Sequence, residues 1–269
     1  MTRFGAILAY DGTAYQGFQR QLGPTPTIQA AVEDAIAAIS GGSAGIVAAG
    51  RTDAGVHATG QAIAFDVEWN HEDRELQNAI NSQLPLDIAL QRVWRQKGFH
   101  PRYDALWRQY AYRIARVDVR QPLLNRHVWQ LYGAPLDIMS MREAAAICTG
   151  EHDFAAFGTA PQQGSNNTVR QILASRWESQ ESEYGTSYMY RIRGTAFLYH
   201  MVRRLVGTMV QVGKGKLTVG DFEEILLSRD LERAKVLAPP NGLVLEAVKY
   251  PQQAATGAMM DEAPLEEKV

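Results

Sequence analysis

Cysteine is nearly absent from this chain: Cys148 stands alone among 269 residues. That excludes an intramolecular disulfide and any site built from several thiolates. It also fits a reducing compartment, so a cytoplasmic location is expected. No apolar run approaches the ~20 residues that a membrane-spanning helix needs. The six histidines, His57, His71, His100, His127, His152 and His200, show neither H-x-x-x-H nor H-E-x-x-H spacing, and no metal site is expected. A G-x-S-x-G elbow is also missing, which removes support for a hydrolase of that type. The run Val212-Gly213-Lys214-Gly215-Lys216 lacks a Ser or Thr after its lysine and follows a helical stretch rather than a strand. It reads as a basic loop that ends a helix, not as a nucleotide-binding loop. The amino terminus, Met-Thr-Arg-Phe-Gly, runs into a strand-like pattern without the layout of a secretory signal.

With 46% apolar and 21% charged residues, the composition is that of an ordinary globular protein. The length suffices for two domains of typical size. Net charge is −2, which by itself speaks against a polyanion partner. The distribution speaks for one. Residues 251–269 hold four acids and one base, a net of −3, so the remaining residues carry +1. Between Arg92 and Arg126 lie nine Lys or Arg against Asp104 and Asp118, and between Arg191 and Lys216 lie six with no acid. Local basic stripes of this kind matter more for binding a polyanion than the total does.

One order of elements runs through the chain twice. Arg3–Tyr10 is apolar enough for a strand, and Asp11–Gln21 is a turn-rich loop with aromatics. Thr25 or Thr27 caps a helix whose face is Ile28, Val32, Ile36 and Ile39. Ile46–Ala49 and Ala62–Val67 read as strands, Glu72–Asn81 as a helix and Ile88–Arg95 as a strand. The second pass has a strand at Gln109–Ala115, a helix from Asp137 to about Cys148, and strands at Val169–Trp177 and Ser187–Arg193. A helix over Phe197–Val212 and a further one capped by Thr218 follow, and Leu243–Tyr250 closes the series. The expected fold is α+β: two ferredoxin-like βαββαβ domains forming a mostly antiparallel sheet with a central active-site cleft. The first domain spans 1–105, the second 106–250, and 251–269 is an acidic, flexible tail.

The chemistry is expected at Gly50-Arg51-Thr52-Asp53-Ala54-Gly55-Val56-His57, where two glycines bracket an arginine and an aspartate and let the backbone turn tightly. A carboxylate enclosed in a cleft tends to take up a proton, and a neighbouring guanidinium opposes this. So held, Asp53 can serve as nucleophile or base at neutral pH. Arg51, Arg203 and Arg204 are the candidate partners. Tyr110, on a strand facing the same cleft, offers a surface for a base to stack on. His57 is expected to be a hydrogen-bonding residue of the turn, and His200 is left outside the chemistry.

The quoted segment resembles a family signature, and the match runs nearly end to end. It includes Tyr10-Asp11-Gly12, Tyr15-x-Gly17-Phe18-Gln19-Arg20, Leu84-Pro85-x-Asp87-Ile88, Phe99-His100-x-Arg102, Tyr110-x-Tyr112 and His152-Asp153-Phe154. It ends with Phe197-x-x-His200-Met201-Val202-Arg203-x-x-Val206-Gly207 and Gly242-Leu243-x-Leu245. In these features the chain is similar to the TruA-type tRNA pseudouridine synthases. The resemblance implies isomerisation of uridine to pseudouridine at tRNA positions 38, 39 and 40, in the anticodon stem-loop, without cofactor or metal. It implies Asp53 as catalytic carboxylate, Arg203 as its ionic partner and Arg51 beside them, Tyr110 against the target base, and Leu243 and Leu245 as an apolar wall. It also implies a homodimer with tRNA as partner. Arg204 stands where the family usually has asparagine, and Phe18 where tryptophan is common.

Attack of Asp53 on C1′, removal of the C2′ proton and attack on C6 of the ring all remain open. Tyr110 is a candidate acceptor for the proton that leaves C5. A non-catalytic RNA-binding protein with two sheet-based modules, or a small-molecule enzyme whose basic stripes serve acidic substrates, would share the same pattern.

Overall fold

The computed structural model describes residues 1–160 and 167–251. The expected tail lies outside them, apart from Pro251. Strand β1 (Thr2–Tyr10) is followed by helix α1 (Ile28–Ser40), β2 (Ile46–Ala48), β3 (His57–Val67), α2 (Asp73–Asn81) and β4 (Ile88–Arg95). Next come β5 (Trp107–Val117), β6 (Trp129–Leu131), α3 (Ile138–Ile147), β7 (Gly150–Asp153), β8 (Val169–Ser182) and β9 (Gly185–Gly194). Helices α4 (Met201–Gly213) and α5 (Val219–Ser228) precede β10 (Leu243–Lys249).

The strands form one sheet in the order β4-β1-β3-β10-β5-β9-β8-β7, with β2 also on β3 and β6 also on β5. With the short β6 and β7 set aside and strands numbered within each half, the chain gives the same antiparallel order twice: fourth, first, third, second, as β4-β1-β3-β2 and as β10-β5-β9-β8. The halves meet where β10 lies parallel to β3, Val244 opposite His57 and Leu245 opposite Ala58. The free edge of β3 is thereby shared: β2 takes its later residues and β10 its first two.

Alternation in β1 buries Phe4, Leu8 and Tyr10 against the helices. Helix α1 answers with Ile28, Val32 and Ile36 and is capped by the Thr27 side chain, which accepts from Ala30 N–H. In the second half α4 carries the apolar stripe: Met201, Val202, Leu205, Val206 and Met209 are all buried. Thr218 and Asp221 form the capping box expected of α5.

The short strands β6 and β7 are not marked by the sequence pattern, and two further elements begin well away from where it puts them. Strand β3 begins at His57, five residues before the Ala62–Val67 run, because its first residues pair with β10, a partner that local periodicity does not show. Helix α4 begins at Met201 rather than Phe197. Residues 195–200 are drawn away from helical geometry, with Tyr199 N–H donating to Thr159 O and forming a bridge to it.

Candidate active site

Asp53 sits on the loop between β2 and β3, and the loop is shaped largely by residues far away in sequence. Val56 N–H donates to Asp53 O to close a turn, and Gly55 within it has φ +76°, a conformation costly for any residue with a Cβ. Gly50, the other bracketing glycine, does not take a positive φ. The loop after β1 buttresses the turn: Phe18 N–H donates to Thr52 O, Gly55 N–H to Tyr15 O, and the Tyr10 and Thr52 hydroxyls are 2.8 Å apart. Tyr15 in turn donates to Asp87 Oδ1 at 2.7 Å, and Asp11 N–H to Asp87 O. The tyrosines, glycines and Asp87 of the sequence signature thus form the mount for Asp53.

His57 completes the mount. Its Nδ1 accepts from Gly12 N–H at 3.0 Å and its Nε2 donates to Arg126 O at 2.8 Å, which fixes the neutral tautomer. Burial pushes its pKa below the ordinary histidine value, against the nearby Asp11 carboxylate, which raises it. Asp11 Oδ1 lies 3.1 Å from Nδ1, yet that nitrogen's lone pair is already engaged by Gly12, so the contact is no ion pair while the ring is neutral. Asp11, His57 and His127 together make the one metal-ligand-like grouping among the described residues. With both His57 nitrogens committed to the backbone, the grouping fits a structural hydrogen-bond cluster better than a cation. No sequence spacing announced it, because its members come from three separate loops and strands.

Arg203 approaches Asp53 from the other half of the molecule. Its Nη1 donates to Asp53 Oδ2 at 2.9 Å and its Nε to Ala238 O at 2.8 Å. Helix α4 can bring it there because Gly207 lets the 236–238 segment pack directly on the helix; a Cβ at Gly207 would lie 2.0 Å from Val236 O. Arg203 is 9% exposed and the Asp53 side chain 19%. Arg204, the alternative partner, points elsewhere and donates to Ala234 O. Arg51 is exposed and forms no ion pair with Asp53. His200, left outside the chemistry on sequence grounds, has Nε2 3.4 Å from Asp53 Oδ2. Burial holds its pKa below the usual value, with Arg203 and Arg204 acting the same way and Asp53 opposing them. Both neighbours fall on Oδ2; Oδ1 has no hydrogen-bond partner among the described residues.

Tyr110 is buried on β5, with its ring edge-on to Phe197 at 5.1 Å. Burial pushes its phenol up to about 12, Arg108 lowering it and Asp53 raising it further. At neutral pH it is therefore a hydroxyl and a hydrogen-bond donor, not a base. Leu245 lies opposite Tyr110 and Leu243 opposite Tyr112, so all four side chains share one face of the sheet. Leu245 is fully buried and supports Tyr110 from within the core, while Leu243 keeps a trace of exposure.

Several cations of the two basic stripes are occupied internally. Arg95 pairs with Asp73, Arg116 with Asp118, and Arg191 with Glu178 and Glu246. Arg108 donates to three backbone carbonyls. Lys97, Arg102, Arg120, Arg126, Lys214 and Lys216 are exposed.

A carboxylate held on one oxygen by a guanidinium from the other half of an α+β sheet is an arrangement able to carry nucleophilic or acid–base chemistry. Residues 6–104 and 144–251 match the family described as tRNA pseudouridine synthase. The chain is 40% identical to tRNA pseudouridine synthase A of Myxococcus xanthus over 251 residues, 93% of this chain and 92% of that one. It is 41% identical to the protein of the same name from Chloroflexus aurantiacus over 253 residues (93% and 90%). With that of Neisseria gonorrhoeae it shares 38% over 265 residues (97% and 96%). The chain belongs to the tRNA pseudouridine synthase family, a family of isomerases.

Proposed function

We propose that this protein isomerises uridine to pseudouridine at positions 38, 39 and 40 in the anticodon stem-loop of tRNA, with Asp53 as catalytic carboxylate and no cofactor. The observation that carries the reading is the Asp53–Arg203 pair, in which one carboxylate oxygen is held and the other left open. The reaction breaks the bond from N1 to C1′, turns the base and joins C5 to C1′; C5 gives up its proton and N1 takes one up, so the product is an isomer of the substrate. A carboxylate with one open oxygen can attack C1′, take the C2′ proton or add to C6. Tyr110 contributes as a neutral phenol that contacts the base and helps retain the freed uracil. Leu245 and Leu243 back it, and the C5 proton passes to another acceptor. Arg51, exposed beside Asp53, contacts the RNA.

Reaching the half-buried acid requires the uridine to leave its stack, at a cost of roughly a few kcal/mol. Phosphate contacts from the exposed cations of the 92–126 and 191–216 stripes offset this. The halves 1–105 and 106–250 act as two ferredoxin-like domains, the first carrying Asp53 and the second its arginine. The protein works in the cytoplasm as a homodimer, with tRNA spanning both subunits.

Unmodified tRNA tritiated at uridine C5 provides the test. The wild-type protein releases tritium to water, whereas Asp53→Asn binds the tRNA and releases none. Turnover by that variant at the normal rate would overturn the assignment.

A further inference from the structure

An aromatic pair stands at the mouth of the site, and none of the chemistry above uses it. Tyr199 is 59% exposed and its ring lies on that of His200, centroids 3.7 Å apart with 27° between the planes. The other edge of the His200 ring reaches Asp53, Nε2 to Oδ2 at 3.4 Å. Going outward from the catalytic acid, one meets an imidazole, then a phenol face open to solvent.

The backbone holds this arrangement at a cost. His200 has φ 63° and ψ 1°, left-handed geometry that a residue with a Cβ rarely adopts, costing on the order of 1–3 kcal/mol. Neither ring is in the core to offset it. Tyr199 is tied instead through its main chain to Thr159, and Arg204 N–H donates to His200 O at the start of α4. The preceding residues point the other way: Leu198 is buried and Phe197 packs edge-on to Tyr110. One short segment thus places Phe197 behind the inner tyrosine, Tyr199 outside, and Arg203 on the acid. Backbone strain kept beside a reactive group, with no gain in packing, is expected where the fixed geometry is used.

We infer that Tyr199, steadied by His200, is a stacking platform for the nucleobase next to the isomerised uridine. The inner ring, Tyr110, is buried and suits the extruded base; the outer ring is too open to enclose a reacting base but presents a whole face to a flanking one. Extruding one base deprives its neighbours of a stacking partner, and an aromatic face at that point replaces it. The contact is indifferent to base identity, since every base has a π-face. The inference rests on the proposed isomerase function, because it places the reacting uridine at Asp53.

The test measures binding in the Asp53→Asn background, so that turnover does not intervene. The probe is an unmodified tRNA with uridine at 39 alone among positions 38–40, together with versions abasic at 38 or at 40. Tyr199→Ala should weaken binding to the intact tRNA about tenfold, and Tyr199→Phe by no more than about twofold. On one of the two abasic tRNAs the Tyr199→Ala penalty should vanish. Unchanged binding by Tyr199→Ala, with an unaltered melting temperature showing that it folds, overturns the inference. So does an equal penalty on all three RNAs, which would mean a backbone contact. Failure of the isomerase reading shows separately, as tritium release by the Asp53→Asn parent.

Discussion

Arg203 Nη1 and Asp53 Oδ2 meet at 2.9 Å across 150 residues of sequence, and this contact ties one half of the site to the other. The same guanidinium donates to Ala238 O, so its position is fixed from two directions. Removing either partner leaves a poorly solvated charge. Arg203→Met should therefore lower stability by about 2 kcal/mol, less than for a wholly buried pair because Asp53 keeps some solvent contact. In urea melts of the double-mutant cycle, adding Asp53→Asn to Arg203→Met should cost less than the sum of the two. Strict additivity would show that the pair does not interact.

Stability should depend on pH through His57. Its native pKa lies below its unfolded value of about 6.5, because the ring is buried neutral between Gly12 N–H and Arg126 O. Above about 6.5 the ring is neutral in both states and no stability is lost. As the pH falls below that point the unfolded chain takes up the proton first, and stability declines until the depressed native value is passed. Asp11 adds a later loss in more acid solution. Burial raises its pKa, but hydrogen bonds from Thr13 outweigh this and hold it low. In thermal melts His57→Gln should start less stable and show a shallower first decline, the remainder coming from His200, whose pKa is also held low; an undiminished first decline would show that His57 does not contribute to it.

Gly55→Ala tests the turn that presents Asp53. At φ +76° a Cβ costs about 1–2 kcal/mol, and it would also lie 3.1 Å from Pro240 Cγ. The variant should melt earlier and release tritium from C5-labelled tRNA at least about tenfold more slowly, since a small misplacement of the reacting group is costly. An effect on stability with none on rate would separate the turn from the chemistry.

Affinity for tRNA should be steeply salt-dependent. With about four phosphates contacted, it falls on the order of 100-fold between ~50 and ~200 mM salt. Arg120→Ala and Lys214→Ala should each flatten the slope by about one contact, whereas Arg95→Ala, whose charge is paired with Asp73, should not. Filter binding at several salt concentrations gives the slope directly, and a flat response would remove the phosphate contacts.

Much of this molecule was written in its residue order. Alternation and 3.6-residue periodicity located most of the strands and helices, Asp137 and Thr218 marked helix starts, Thr27 was one of two candidates for a third, and the mix of elements pointed to an α+β sheet. These are local properties, set by which side chains a strand or helix can bury. The glycine-flanked Arg-Thr-Asp segment marked the acid for a similar reason, since only certain residues permit so tight a turn. What sequence order left open were the contacts made across it. Arg203 and Arg204 are adjacent and chemically alike; the packing of Gly207 against Val236 turned the first toward Asp53 and left the second on Ala234 O. His200 came to the acid only because the 195–200 segment bridges to Thr159 instead of extending α4, and His57 joined β3 only because β10 lies beside it. Local chemistry chose the elements and the place of the acidic group. Which guanidinium and which imidazole stand around that group depended on the docking of one half upon the other, because contacts between distant segments leave no periodic trace along the chain.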